Sequence, residues 1–312
     1  FDEAKKKFQS IFNEAVKLRS ETEVDLGFTL SGGLDSSLIT AMMNKKNIKT
    51  YSASFDSDEY NESEYAEYLS KIIGSNHKNI TLNSSNYIDK LEKNISARSI
   101  PLSIPHEIAL SELFKEISLN NKVVMSGEGA DELFGGYGRV QSSAFDYKKI
   151  KFVRNKLPKI SHKFLYYILG GRGDFKWINY KNHKDHFIDI YSWFSTDDKK
   201  KYFKSDFMHL ISDDRELQNF LFKEFEDLSD LDEYDRILYI FQKYHLRCLL
   251  DRLDFHSMSS SVEARVPFCD HRLIEHVMLI PNKYKFKWKS SFHNILGLFN
   301  NSFNNSEKLD IS

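Results

Sequence analysis

The chain has 312 residues, 41% of them hydrophobic, with 44 Lys and Arg against 45 Asp and Glu. That length supports one large core or two smaller ones, and the charge balance argues against a general polyanion binder. No apolar run approaches the roughly 20 residues that span a bilayer, and Cys248 and Cys269 lack C-x-x-C spacing, so a reduced, cytoplasmic protein without a membrane anchor is expected. The start at Phe1 and the stop at Ser312, where an amphipathic pattern is just restarting, read as the cut ends of a fragment.

Short strand-like and helix-like runs alternate over the first 140 residues. "DLGFTL" (25–30) is apolar and breaks at Ser31-Gly32-Gly33, after which Leu34, Leu38, Ala41 and Met42 recur at helical spacing. Strand-like "IKTYSASF" (48–55) precedes an amphipathic helix (62–74) closed by Gly74. "KNITL" (78–82), a helix around "YIDKLEKNI", another across 105–119 and the strand "KVVMSG" (122–127) follow. Units of this length predict right-handed crossovers and an α/β fold, a parallel sheet with helices on both faces. From about residue 141 strand signals fade and helical patterns dominate 205–256 and 270–279. The expected organisation is an α/β part at 1–140 and a mainly helical part at 141–312, together one continuous domain. Segment 148–185 holds eleven Lys or Arg against two Asp, with many aromatics. It reads as a solvated helical insertion rather than a nucleic-acid surface, and His183 and His186 within it as a surface pair.

Two glycine turns carry the chemistry. In "LSGGLDSS" (30–37) the backbone N–H groups of Ser31, Gly32 and Gly33 lie at a strand's carboxyl end, and a helix begins near Asp35. That is an anion site, with the hydroxyls of Ser36 and Ser37 as extra donors. It is no Walker loop, having neither G-x-x-x-x-G-K-[ST] nor a lysine. Asp35 repels phosphate unless a divalent cation stands between them, although Asp35 could equally cap its helix. "SGEGADELFGGY" (126–137) is again strand, glycine turn and helix, and sets Glu128, Asp131 and Glu132 beside Ser126 and Gly127. Asp131 and Glu132 suit a helix's first turn, but Glu128 stands between two glycines before the helix. A donor-rich turn and an acid-rich turn on one sheet edge point to a magnesium-bound nucleotide.

With "SVEARVPFCDHRLIE" (261–275), these motifs make the chain resemble the synthetase domain of glutamine-dependent asparagine synthetases, within the adenine-nucleotide hydrolase-like ATP pyrophosphatases. The likeness covers about residues 5–140 and 240–285. It implies that ATP is split between its α and β phosphates, that a carboxylate, most simply the aspartate β-carboxylate, takes the AMP, and that ammonia attacks the adenylate. By the same match Leu30 to Ser37 cradle pyrophosphate, the backbone of Ala53 meets adenine, and Ser126 and Gly127 contact the nucleotide. Asp35 and Asp131 hold Mg²⁺, and Glu128 is the essential acid. Arg252 and Arg265 are the remaining cations suited to phosphate or carboxylate, against a purely structural pairing with Glu263 or Asp270. A glutaminase domain upstream is the implied partner, and a homodimer is compatible.

Three departures accompany the likeness. Phe1 stands where the family's glutaminase cysteine would open the chain. "SARSIPLSIPHEIAL" (96–110) lacks the family's acidic turn and contains His106, which puts the acceptor in question. No basic K-x-x-L-R-like motif precedes Ser312, Lys287 and Lys289 being nearest, so a fragment that binds ATP and turns over poorly is expected. Amidation of sugar carboxylates or β-lactam-type ring closure are alternatives within the class. A tRNA-modifying pyrophosphatase, which usually needs reactive cysteines, and a non-catalytic nucleotide-binding module lie further off.

Overall fold

The computed structural model describes residues 1–43, 47–55, 63–82, 86–156 and 182–285, with the single positions 158, 159, 162, 164 and 180. Most of the basic aromatic segment, and both Lys287 and Lys289, lie outside the described residues.

Helix α1 (Asp2–Ser20) opens the chain, with Phe12, Ala15 and Val16 on its buried face. Then come β1 (Leu26–Thr29), α2 (Leu34–Met42), β2 (Lys49–Phe55), α3 (Ser63–Ile73), β3 (Asn76–Leu82), α4 (Tyr87–Arg98), α5 (Glu107–Ser118), β4 (Val123–Met125) and α6 (Ala130–Phe134). A helical stretch holds α7 (Gly138–Gln141), α8 (Ser143–Lys156), α9 (His183–Tyr191), α10 (Thr196–Tyr202), α11 (Ser205–Leu210), α12 (Arg215–Asp227) and α13 (Glu233–Ile240). A π-helical turn, Phe241–His245, leads into α14 (Leu246–Met258), followed by β5 (Glu263–Arg265), α15 (His271–Met278) and α16 (Asn282–Lys285).

The five strands form one sheet in the order β3-β2-β1-β4-β5, and every pairing is parallel. The chain builds outward from β1 to β3, then returns to the other side of β1 with β4. The order therefore reverses between β1 and β4, and in such sheets ligands bind in the crevice beyond the carboxyl ends at that reversal. Both glycine turns leave the sheet there.

One face of the sheet is apolar. Tyr51, Leu113, Phe114, Ile117, Val124, Leu253 and Val262 form a buried cluster that binds β2 and β4 to α5 and α14. The opposite face of the outer pair is polar, because β2 and β3 set Thr50, Ser52 and Ser54 in register with His77, Asn79 and Thr81. His77 uses both ring nitrogens, Nδ1 on the Thr50 hydroxyl at 2.9 Å and Nε2 on the Ser52 hydroxyl at 3.1 Å. The Asn79 amide donates to Ser54 Oγ at 3.0 Å. Cross-strand pairs of this kind fix register on a strand that has no alternating apolar pattern.

The chain divides into two compact units, Phe1–Leu133 with Gln242–Ile280, and Phe134–Phe241 with Pro281–Ser312. The first unit is discontinuous in sequence. Residues 242–280 return to the sheet, because β5 pairs with β4 and α14 supplies Leu253 to its core.

In the second unit His183 and His186 are buried, not a surface pair. The Asn182 side chain caps α9 by accepting from Asp185 N at 2.9 Å. The resulting phase puts 183, 186 and 187 on the inner face. Both rings meet one hydroxyl, Ser143 Oγ, at 3.1 and 3.0 Å, and burial holds both imidazoles neutral, each titrating at about 4.

Candidate active site

The first turn is shaped by its own side chains. Leu30 is fully buried and its N–H donates to Tyr51 O at 2.7 Å, carrying the sheet one residue past β1. Gly32 then takes φ +82, and a Cβ there would lie 2.7 Å from Tyr65 Cβ. The hydroxyls of Ser36 and Ser37 turn inward instead of serving as free donors. Ser36 Oγ lies 3.1 Å from Ser31 Oγ and accepts from Ser31 N at 3.2 Å, while Ser37 Oγ donates to Gly33 O at 2.5 Å. Their part is to hold the loop, and two of the turn's own N–H groups are drawn in with them, Ser31 N on Ser36 Oγ and Gly33 N on Ser31 Oγ at 3.3 Å, which leaves the first-turn N–H groups of α2 as the candidate anion donors. The N-cap of that helix is Gly33, not Asp35.

The second turn follows β4, where Ser126 N donates to Arg265 O at 2.9 Å. Gly127 decides the arrangement of the site. A Cβ on it would stand 2.9 Å from Ser36 N and 3.2 Å from Asp35 Cβ, so the two turns pack main chain against main chain. Only glycine permits that approach.

The contact gathers carboxylates. Asp35 is pushed up to about 6 by burial and then by the charge of Asp131. Glu128 is pushed up to about 7 by burial first, with Glu132 and Asp131 adding to it and Arg252 opposing. Burial raises Asp131 as well. Glu132 is buried behind them; Gln242 holds its carbonyl at 3.3 Å and His245 Nε2 stands 3.9 Å from its carboxylate. Acids that resist ionisation together are stabilised by a cation. Among the described residues no three His, Cys, Asp or Glu side chains converge as a preformed metal cage. Magnesium does not require one, since it is commonly held by one or two carboxylates with phosphate and water completing the shell. Asp35 and Asp131 fit that description.

The two candidate arginines separate. Arg265 donates to Glu263 Oε1 at 2.8 Å and to the carbonyls of Arg19 and Glu21 at 3.0 and 2.8 Å, clamping the end of α1 to β5. It is thereby occupied as a structural tie, and Asp270 pairs instead with Arg19 and Arg272. Arg252, on α14, has a buried Nε with no hydrogen-bond partner, and its charge acts on Glu128, His106 and His245. Ala53 lies near the carboxyl end of β2, in register with Ile80. His245 was not among the expected site residues; it precedes Arg252 by seven positions, about two helical turns, which is the signal that would have found it.

Residues 7–291 match the family described as Asparagine synthase. The chain belongs to the asparagine synthase family. It is similar to "Asparagine synthetase [glutamine-hydrolyzing] 3" of Bacillus subtilis, 25% identical over 94% of this chain and 44% of that protein. It is also similar to number 1 of the same organism, 26% identical over 92% of this chain and 45% of that protein. The rat enzyme of the same name is 30% identical over 43% of this chain and 26% of its own length. The chain thus spans under half the length of these relatives. No described helix is long and apolar enough to cross a membrane.

Proposed function

We propose that the chain is the amidating part of an ATP-dependent ligase, which activates a substrate carboxylate as an acyl adenylate and passes ammonia to it. The observation that carries this reading is the seating of Gly127 against Asp35 and Ser36, which joins a donor-rich turn to an acid-rich one. In the first step an acceptor carboxylate oxygen bonds to the α-phosphorus, the bond to the bridging oxygen breaks, and pyrophosphate leaves. In the second the ammonia nitrogen bonds to the acyl carbon, AMP leaves, and the nitrogen loses a proton to a base.

The backbone from Leu30 to Ser37 holds the pyrophosphate end, Ala53 offers its main chain to adenine, and Ser126 and Gly127 border the nucleotide. Asp35 and Asp131 would hold magnesium, which supplies the positive charge that lets carboxylates and phosphates share a site. Glu128, poised at about 7, suits the proton transfer because a base near the working pH transfers protons most effectively. Arg252 is the cation for the acceptor or a phosphate, where buried guanidinium binds carboxylate and phosphate strongly.

The aspartate β-carboxylate is the leading acceptor, in keeping with the names of the relatives. A sugar carboxylate, or a β-lactam-type ring closure, is the second reading. It is favoured by the 96–110 segment, where the acidic turn is missing and His106 lies in the field of Arg252. Ammonia would come from a glutaminase domain elsewhere in the full-length protein. The deciding experiment is pyrophosphate and AMP release from full-length protein with ammonium and a panel of carboxylates. Asp35→Ala should abolish magnesium-dependent ATP binding, while Glu128→Ala should keep ATP binding and lose AMP formation. Unchanged AMP production in Glu128→Ala would remove Glu128 from the chemistry.

A further inference from the structure

Glu107 opens α5 and is completely buried, with 0% exposure. The helix leads directly into β4, and Glu116 near its end pairs with Lys78 near the start of β3, so it runs antiparallel to the strands and its first turn lies toward the carboxyl edge of the sheet, where the glycine turns lie. Burying a carboxylate is costly unless donors surround it, and this one is surrounded. Glu107 Oε2 accepts from Arg98 Nη1 at 2.7 Å and faces His256 Nε2 at 3.2 Å. Oε1 accepts from Ser103 N at 2.8 Å, Ile104 N at 3.3 Å and the Ser103 hydroxyl. One side chain thus ties together the end of α4, the 99–106 turn and α14.

Each of those pieces bears on the site. His106 is the last residue of the turn, and Arg252 precedes His256 by one helical turn on α14. The charge of Arg252 reaches both His106 and Glu128. A carboxylate held by this many donors stays ionised and can only accept, so His256 must present Nε2–H to it. Its Nδ1 is then a bare acceptor, and that buried atom has no partner. The Arg98 guanidinium also stacks over Phe255, 5.4 Å from the ring centroid, holding the same stretch of α14 from a second side.

We infer that Glu107 is a positioning residue for the acceptor side of the site. Through Arg98, the Ser103–Ile104 backbone and His256 it fixes His106 relative to Arg252, and with them the seat of the acceptor carboxylate. The inference rests on the amidation reading and adds to it a determinant of acceptor fit outside the glycine turns.

The test is Glu107→Gln in full-length protein with ammonium as nitrogen donor and L-aspartate as the probe acceptor. The amide keeps the shape but turns N–H groups toward Arg98 or Ser103, so the acceptor KM should rise at least about tenfold while Mg-ATP affinity stays within about twofold. Ser103→Ala, which removes one donor, and Arg98→Lys keep the fold more securely and should raise the acceptor KM by smaller, graded factors. Equal losses of acceptor and nucleotide affinity, or an unchanged acceptor KM across the series, would overturn the inference. ¹⁵N spectra of His256 in the substrate-free protein at neutral pH should show the neutral Nε2–H tautomer, its signal shifted in Glu107→Gln. An Nδ1–H tautomer or an imidazolium in the unmodified protein would overturn the contact on which it stands. If the unmodified protein makes no AMP with any acid, the amidation reading fails and takes the acceptor role with it. The histidine spectra still report whether Glu107 orders α14, so the two failures are told apart.

Discussion

On the proposed amidation, Glu128 is the residue where local physics bears most directly on rate. Burial and its acidic neighbours hold its carboxyl at about 7, and only the ionised form accepts a proton. Amidation at a fixed concentration of free NH3 should therefore rise with pH through about 7 and level off above it, a limb in kcat/KM for the acceptor that Glu128→Gln erases from any residual activity. Magnesium-linked nucleotide uptake should weaken as pH falls below about 6, where Asp35 takes up a proton. Gly127 offers a separate test, since an alanine there presses a methyl group into Ser36 N at 2.9 Å. Gly127→Ala should lower ATP affinity at least tenfold, and overpacking of this kind should cost about 1–3 kcal/mol in denaturant unfolding. The two acid-bearing turns were legible in the sequence because glycines and carboxylates stand together in short motifs. The roles of Ser36 and Ser37 were not, and Arg265 stood open between a ligand and a tie to Glu263, because residue type does not say whether a hydroxyl or guanidinium faces a ligand or the protein itself. Glu107 was hidden for a related reason. Its donors are main-chain groups and residues as remote as His256.

Elements were readable to the extent that their pattern was long. β1 to β4 and α2 to α5 fall close to the expected runs, since apolar spacing persists through each. Helix α1 was not among them, although Phe8, Phe12, Ala15 and Val16 recur at helical spacing. β5 spans only Glu263–Arg265, too short for any periodicity, and is a strand only because β4 lies beside it. On α9 the expectation failed in the other direction. Polar character suggested a surface, whereas the Asn182 cap sets a phase that buries His183 and His186. That burial has a thermodynamic signature. Each histidine titrates at about 4 in the folded chain against 6.5 when exposed, so the unfolded state binds more protons between those values. Stability should be intact above pH 6.5 and fall as pH drops toward 4, by up to about 3 kcal/mol per histidine. Urea midpoints measured across that range should show the slope, and His186→Phe should reduce it by roughly half.

At the scale of the whole molecule the chain is a sheet-bearing unit made of two separated stretches, 1–133 and 242–280, with a helical unit between them in sequence. The sheet-bearing unit carries both glycine turns, Arg252 and Glu107. The amide of Gln242 donates to Glu132 O at 3.3 Å, so the residues just before the first junction and just after the second are neighbours. Replacing 134–241 by a short Gly-Ser linker should leave the remaining unit folded, with cooperative thermal unfolding. Removing 242–280 instead should abolish cooperative unfolding, because β5 and Leu253 are lost from the sheet and its core. Sequence periodicity cannot show this discontinuity, since it sees neighbours along the chain and not across a sheet. Because Glu132 and Gln242 already touch, the main chain needs no stretch to close across the gap between them, so a change in the length of 134–241 puts no tension on either strand-bearing stretch.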